Sequence, residues 1–238
     1  MKIIGIDSAV QDKNIGMVLC VYNDSKIHLS DKWDKTNSFE SQIERWLDND
    51  RTILAVDSPL GWPKEFSSLL ESHLAGMTLG DDDRSFFKRE TDVDIAQRYK
   101  KIPLEVSADR IARTAFHTLR RLSNLRALLK RKMDIIWNPK DDFDLGFIEV
   151  YPASTLLANE VNIKGYKSNE ELRREIYGKI ITNYNLTNER NIDIFKIEHD
   201  FDAFICCLAG FDFIENRSKS YRELNETIRK EGWIWTKE

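Results

Sequence analysis

Ile53-Leu54-Ala55-Val56-Asp57, cut off by Ser58-Pro59, is the stretch that decides the fold. Four apolar residues in succession leave no face for water, so the run reads as a parallel strand buried on both sides, with Asp57 where it leaves the core. The amino terminus repeats the pattern, Ile3-Ile4-Gly5-Ile6 ending at Asp7. Between the two lie a second apolar run at 15–23 and a weaker one at 26–32, joined by Asn23-Asp24-Ser25, which has hairpin-turn chemistry. A helix is expected at 38–48, where Phe39, Ile43, Trp46 and Leu47 recur at helical spacing.

Beyond Pro59 the chain turns helical. Helices are expected at 64–76, 92–100 and 108–132, the last with Ile111, Ala115, Leu119, Leu122, Leu125 and Leu129 on one stripe. Ser107 is its expected N-cap, and Asp109 a first-turn acid favoured by the helix dipole. A strand at 145–151 ending at Pro152, a helix at 168–184, a strand at 192–197 and a helix from His199 or Asp200 to Glu215 follow. Residues 232–236 alternate like an edge strand. This order of elements is that of a ribonuclease H-like α/β fold: a mixed sheet of three antiparallel strands plus parallel strands, flanked by helices. We expect a single domain over 1–238, with a mainly helical insertion at about 64–135.

Composition narrows the class. The 238 residues are 41% apolar, enough for one continuous core, and 36 basic against 40 acidic residues give a net charge of -4, which does not advertise a nucleic-acid binder. No apolar run is long enough to cross a bilayer, and the first strand begins at once, leaving no room for a signal peptide. Cys20, Cys206 and Cys207 lack metal-ligand spacing and read as small core residues of a reducing, cytoplasmic compartment.

The chemistry is in the carboxylates. If the strands ending at Asp7 and Asp57 are parallel neighbours, the two acids lie about 5 Å apart at the strand ends where ligands of open α/β sheets collect. Such a pair repels unless a cation intervenes or one acid keeps its proton. Oxygen ligands of this kind suit Mg²⁺ or Mn²⁺. The plainer alternative is that each aspartate ends its strand and bonds turn amides. His199 and Asp202, three residues apart, share a face of the last helix; either they join the site or Asp202 is a dipole-favoured acid at a helix start. The rest of that helix, Ala203 to Phe213, is nearly all apolar, so Asp202 needs a partner or a metal. Glu149, between Ile148 and Val150, either faces solvent near an edge or joins the acidic site.

Taken in order, Gly5-Ile6-Asp7, Val56-Asp57-Ser58-Pro59-Leu60-Gly61-Trp62-Pro63, Arg89-Glu90-Thr91-Asp92, Ile148-Glu149-Val150-Tyr151-Pro152, Tyr166-Lys167 and His199-Asp200-Phe201-Asp202-Ala203 resemble the DUF429 family of predicted ribonuclease H-like nucleases. Each motif is short; their order and spacing are specific. The resemblance implies a metal-dependent nuclease, with Asp7, Asp57, His199 and Asp202 as metal ligands, Glu149 as a further catalytic acid, and Mg²⁺ or Mn²⁺ as cofactor. The spacing of His199 and Asp202 is similar to that of the helix ligands in RuvC-type resolvases, although many members carry an acid where His199 stands. In this reading two ions about 4 Å apart activate a water for in-line attack on phosphorus, and His199 is a ligand or a general base. Arg89, Asp92 and Lys167 match recurrent family positions and are expected to orient an anionic substrate, or to form structural ion pairs.

Nucleic acid, DNA or RNA, is the expected partner. Arg110, Arg113, Arg120, Arg121, Arg126, Lys130, Arg131 and Lys132 give the long helix a local positive charge suited to phosphates, unless acids such as Asp81, Asp82 and Asp83 neutralise it. The competing reading is a non-catalytic module that binds nucleic acid or protein. A kinase-like phosphotransferase is disfavoured by the short chain, its 10 glycines and the lack of a P-loop motif.

Overall fold

The computed structural model describes residues 1–78, 84–107 and 109–238. Seven strands form one sheet: β1 (Lys2–Asp7), β2 (Gly16–Asn23), β3 (Lys26–Lys32), β4 (Thr52–Asp57), β5 (Asp134–Ile135), β6 (Leu145–Glu149) and β7 (Leu186–Thr187). Their spatial order is β5-β6-β4-β1-β2-β3-β7. β1, β4, β6 and β5 are mutually parallel, β2 is antiparallel to β1 and β3, and β7 runs parallel to β3. Only β2 therefore opposes the common direction.

Nine helices accompany the sheet among the described residues: α1 (Phe39–Trp46), α2 (Lys64–Ser72), α3 (Arg84–Phe87), α4 (Glu90–Tyr99), α5 (Asp109–Leu129), α6 (Pro152–Ala158), α7 (Glu170–Ile180), α8 (Glu198–Ile214) and α9 (Glu226–Glu231). Helices α2 to α5 all fall between β4 and β5, where the helical insertion was expected.

The unbroken apolar runs are explained by helices on both faces. Ile3, Val18, Cys20, Ile53, Ala55 and Ile148 join one core with α6, α7 and α8. Their neighbours in sequence, Ile4, Ile6, Met17, Leu19, Leu54, Val56 and Phe147, join a second core with α1 and α5. The period of two sends alternate residues to opposite cores, both dry. All three cysteines are free and buried in the first. Among the described residues no helix is long and apolar enough to cross a membrane.

Several expectations change. No strand forms at 192–197: Phe195 and Lys196 give their carbonyls to the Arg173 guanidinium, Asp193 accepts from Phe195 N, and the Asn188 side chain holds both N and O of Ile192. Side chains thus satisfy a backbone that would otherwise need a ladder. The sheet instead takes Leu186 and Thr187 as its edge. Pro152 does not merely stop β6; it opens α6 at a position where its missing N–H costs nothing. Residues 232–236 form one bridge, Ile234 to Glu149, rather than a strand, with Trp233, Ile234 and Trp235 all buried. The Ser107 hydroxyl donates to the Phe86 carbonyl at 2.9 Å, and the start of α5 that it was expected to cap lies against residues outside those described. The expected first-turn role of the Asp109 side chain, and Asp81, Asp82 and Asp83, lie outside the described residues.

Candidate active site

Asp7 and Asp57 face each other as Cα partners on the last rung of the parallel β1–β4 ladder. Asp202 is brought to them by α8, which crosses β1, β2 and β4 and is buried almost throughout. Its approach depends on missing side chains. A Cβ on Gly5 would stand 1.9 Å from the Ala203 carbonyl oxygen, and one on Gly16 1.9 Å from that of His199. With glycine at both places the helix rests directly on the strands, and its first turn reaches the strand ends.

Burial raises the pKa of all three aspartates, and neighbouring charge adds to it. Burial, followed by the charges of Asp7 and Asp202, holds Asp57 well above the usual carboxylate range. Among the described residues its carboxylate has no hydrogen-bond or ion-pair partner. Asp7 is pushed up to about 6 by burial and by Asp202, against the hydrogen bond from His199. His199 Nδ1 lies 2.6 Å from Asp7 Oδ2, so one proton sits between them; this contact raises the imidazole pKa. Asp202 is fully buried and also raised by burial, although Tyr166 Oη donates to its Oδ1 at 2.8 Å and Lys167 Nζ stands 2.8 Å from its Oδ2.

Lys167 and Tyr166 were placed by features the sequence reading did not single out. Gly165 adopts φ 82°, a left-handed turn that favours glycine, and starts the 3-10 turn Tyr166–Ser168. Buried Arg173 donates to the carbonyls of both Tyr166 and Lys167, at 2.7 and 2.9 Å, and fixes that turn to the 195–196 segment. The signal in the sequence was one of two adjacent arginines, Arg173 and Arg174, on an amphipathic helix, and it looks like any surface residue until its burial is known. Tyr166 is both buried and a hydrogen-bond donor to the site.

Glu149, Arg89 and Asp92 form a separate, closed network beside the aspartates. Arg89 is 1% exposed, and all five of its guanidinium N–H groups are committed: Nε and Nη2 to Asp92, Nη1 and Nη2 to Glu149, and Nη1 to the Glu231 carbonyl. Glu149 Oε2 also accepts from Leu60 N. Of the two roles expected for Arg89 and Asp92, the geometry shows the ion pair, and Glu149 is held by the same arginine. Arg89 and Glu149 also border the cavity that contains the aspartates. The network ties α4 to the end of β6 and to the C-terminal segment.

The aspartates open into a cavity of about 510 Å³, within the range of small-molecule sites. Asp7 and Asp57 line it from the sheet, Asp202 from α8 and Lys167 from its 3-10 turn; Pro103, Leu104, Ile111 and Thr114 line it from the helical insertion. Residues 5–223 match the family described as protein of unknown function (DUF429). The chain belongs to that family. No curated protein matches it. The DUF429 match covers every site residue named above, from Asp7 to Asp202.

Oxygen donors from three carboxylates, one of them without a partner, fit a hard divalent ion in kind. In placement they are not closed around one: among the described residues no three acidic, His or Cys groups are arranged to hold a metal. The Lys167 ammonium is the cation that Asp202 now has. Of the basic residues on α5, Arg121 is spent on the carbonyls of Ala9 and Val10 and on Asp12, and Arg126 on that of Met133. Exposed Arg113 and Arg120 have no partner among the described residues.

Proposed function

We propose that this DUF429 chain has a ribonuclease H-like fold and hydrolyses phosphodiester bonds in nucleic acid with the help of Mg²⁺ or Mn²⁺. The observation that carries the reading is the in-register pair Asp7 and Asp57 at the ends of parallel strands, coupled through charge to Asp202 on α8. The sheet order supports it, since β3, β2 and β1 form the antiparallel part and β4 and β6 extend it in parallel. Asp7, Asp57 and Asp202 are the residues that would hold an ion. When bound, such an ion supplies polarisation of a phosphoryl oxygen and activation of a water.

The chain's own groups take the remaining roles. With Nδ1 engaged by Asp7, Nε2 is the atom of His199 left to exchange a proton, which suits a general base better than a ligand held by Asp7. Lys167, half exposed on a long flexible stem, is free to move from Asp202 to a substrate phosphate once another cation takes its place. Asp57→Asn keeps the shape of a side chain that bonds nothing, so the variant folds normally. Its manganese-dependent hydrolysis of bis(p-nitrophenyl) phosphate is expected to fall about a hundredfold or more. Full activity in that variant rejects the assignment.

A second reading, a non-catalytic binding module, is favoured by one observation: Lys167 already neutralises Asp202 without a metal. Calorimetric titration with Mn²⁺ separates the two, because the module predicts no saturable binding.

A further inference from the structure

The cavity is lined by two kinds of side chain, and the proposed hydrolysis uses only one. The acids and Lys167 serve the phosphate chemistry. The same lining carries Pro103, Leu104, Ile111 and Ile163, side chains that offer a phosphate or a sugar nothing. Leu104 is 69% exposed, an apolar lining group left in water. A duplex docked by its backbone leaves such a wall in water, and a cavity of about 510 Å³ has no room for a base pair and its flanking strands. An unpaired base meets both conditions, because its flat faces are apolar and its own phosphate carries the charge. Lys101 lines the same cavity and has no partner among the described residues, so a second cation is available near the opening.

We infer that the cavity receives a single nucleotide unit with its base unpaired, the base lying against Pro103, Leu104, Ile111 and Ile163 and the phosphate directed to Lys101 and Lys167. This rests on the phosphodiesterase reading for its chemistry and adds the substrate class: a free nucleotide or one unit of a single strand, never an intact duplex. A paired substrate enters only after local unpairing, at a cost of a few kcal/mol that a single strand does not bear.

The test measures binding by competition, in buffer with calcium in place of manganese. The competitors are thymidine 5′-phosphate, a short thymidine oligonucleotide and a duplex of the same length. The oligonucleotide is expected to outcompete the duplex by about thirtyfold or more, the equivalent of about 2 kcal/mol of unpairing cost. Leu104→Ala, an exposed truncation that leaves folding intact, is expected to weaken it by about threefold or more through lost apolar contact. Thymidine 5′-phosphate as tight as the oligonucleotide supports the inference with a free nucleotide as ligand; a tighter oligonucleotide supports it with a strand. Equal binding of duplex and single strand, no binding of any probe, or an unchanged Leu104→Ala overturns it. Hydrolysis of bis(p-nitrophenyl) phosphate, which has no base, is scored separately, so the two readings fail by different results.

Discussion

Lys167 Nζ stands 2.8 Å from Asp202 Oδ2 and 3.3 Å from Glu198 Oε1, placing an ammonium where a divalent ion is expected to bind. The two cations compete for one carboxylate. Lys167→Gln is therefore expected to raise Mn²⁺ affinity in calorimetry while lowering the melting temperature of the metal-free protein. The stability loss should be about 1–2 kcal/mol, less than for a fully buried pair because the lysine is half exposed. Saturating Mn²⁺ should restore the lost stability. Unchanged Mn²⁺ affinity in the variant would show that the lysine and the metal do not share a site.

Arg89 is predicted to act through folding rather than through substrate. Arg89→Met leaves Asp92 and Glu149 buried without a counter-charge, at a cost of about 3–5 kcal/mol in denaturant unfolding. Adding Glu149→Met should recover part of that loss, since the second change removes one of the stranded charges. A stable Arg89→Met protein with impaired substrate affinity would instead return Arg89 to the substrate.

Gly16→Ala tests how α8 is seated. Its added methyl meets the His199 carbonyl, so the helix start must move, at an expected cost of about 1–3 kcal/mol. The His199 pKa, read by NMR titration, should fall back toward its ordinary value as the contact with Asp7 opens. An unshifted titration would mean that the helix absorbs the methyl without moving.

Asp212, at the far end of α8, sets a pH dependence unrelated to the site. Burial pushes its pKa up to about 6, against the Tyr184 hydroxyl that donates to Oδ2 at 2.6 Å. Because the folded value lies above the unfolded one, the contribution is fully present below about pH 4 and is lost as pH rises through about 6. Asp212→Asn should therefore be more stable than the parent at pH 8, by about 2 kcal/mol, with a flatter stability profile between pH 4 and 6. Asp7 titrates in the same range and keeps part of the slope in both proteins. A parent profile with no decline across that interval would contradict the burial argument.

The sequence was most legible where apolar runs were long and their endings abrupt. The strands ending at Asp7 and Asp57, their parallel pairing and the buried helix after His199 all follow from hydrophobic pattern, because burial on both faces admits few alternatives. Asp202 was exposed as anomalous by its apolar neighbours. What pattern could not show was which partner each charge takes. Glu149 looked as exposed to metal chemistry as Asp57 until Arg89, 60 residues away in sequence, was seen to hold both its oxygens. The 192–197 segment has strand-like composition, and the side chains of Arg173, Asn188 and Asp193 decide that it is not one. Long-range polar pairing has no period, and that is where the reading ran short.

The seating of α8 has a consequence for how the molecule tolerates change. Gly5 and Gly16 admit the helix backbone itself, so the spacing between the acids is gauged by main chain against main chain. Ordinary drift among core side chains leaves that gauge untouched. The chain is thus free to vary the helices around the opening while the distance between its aspartates stays the same.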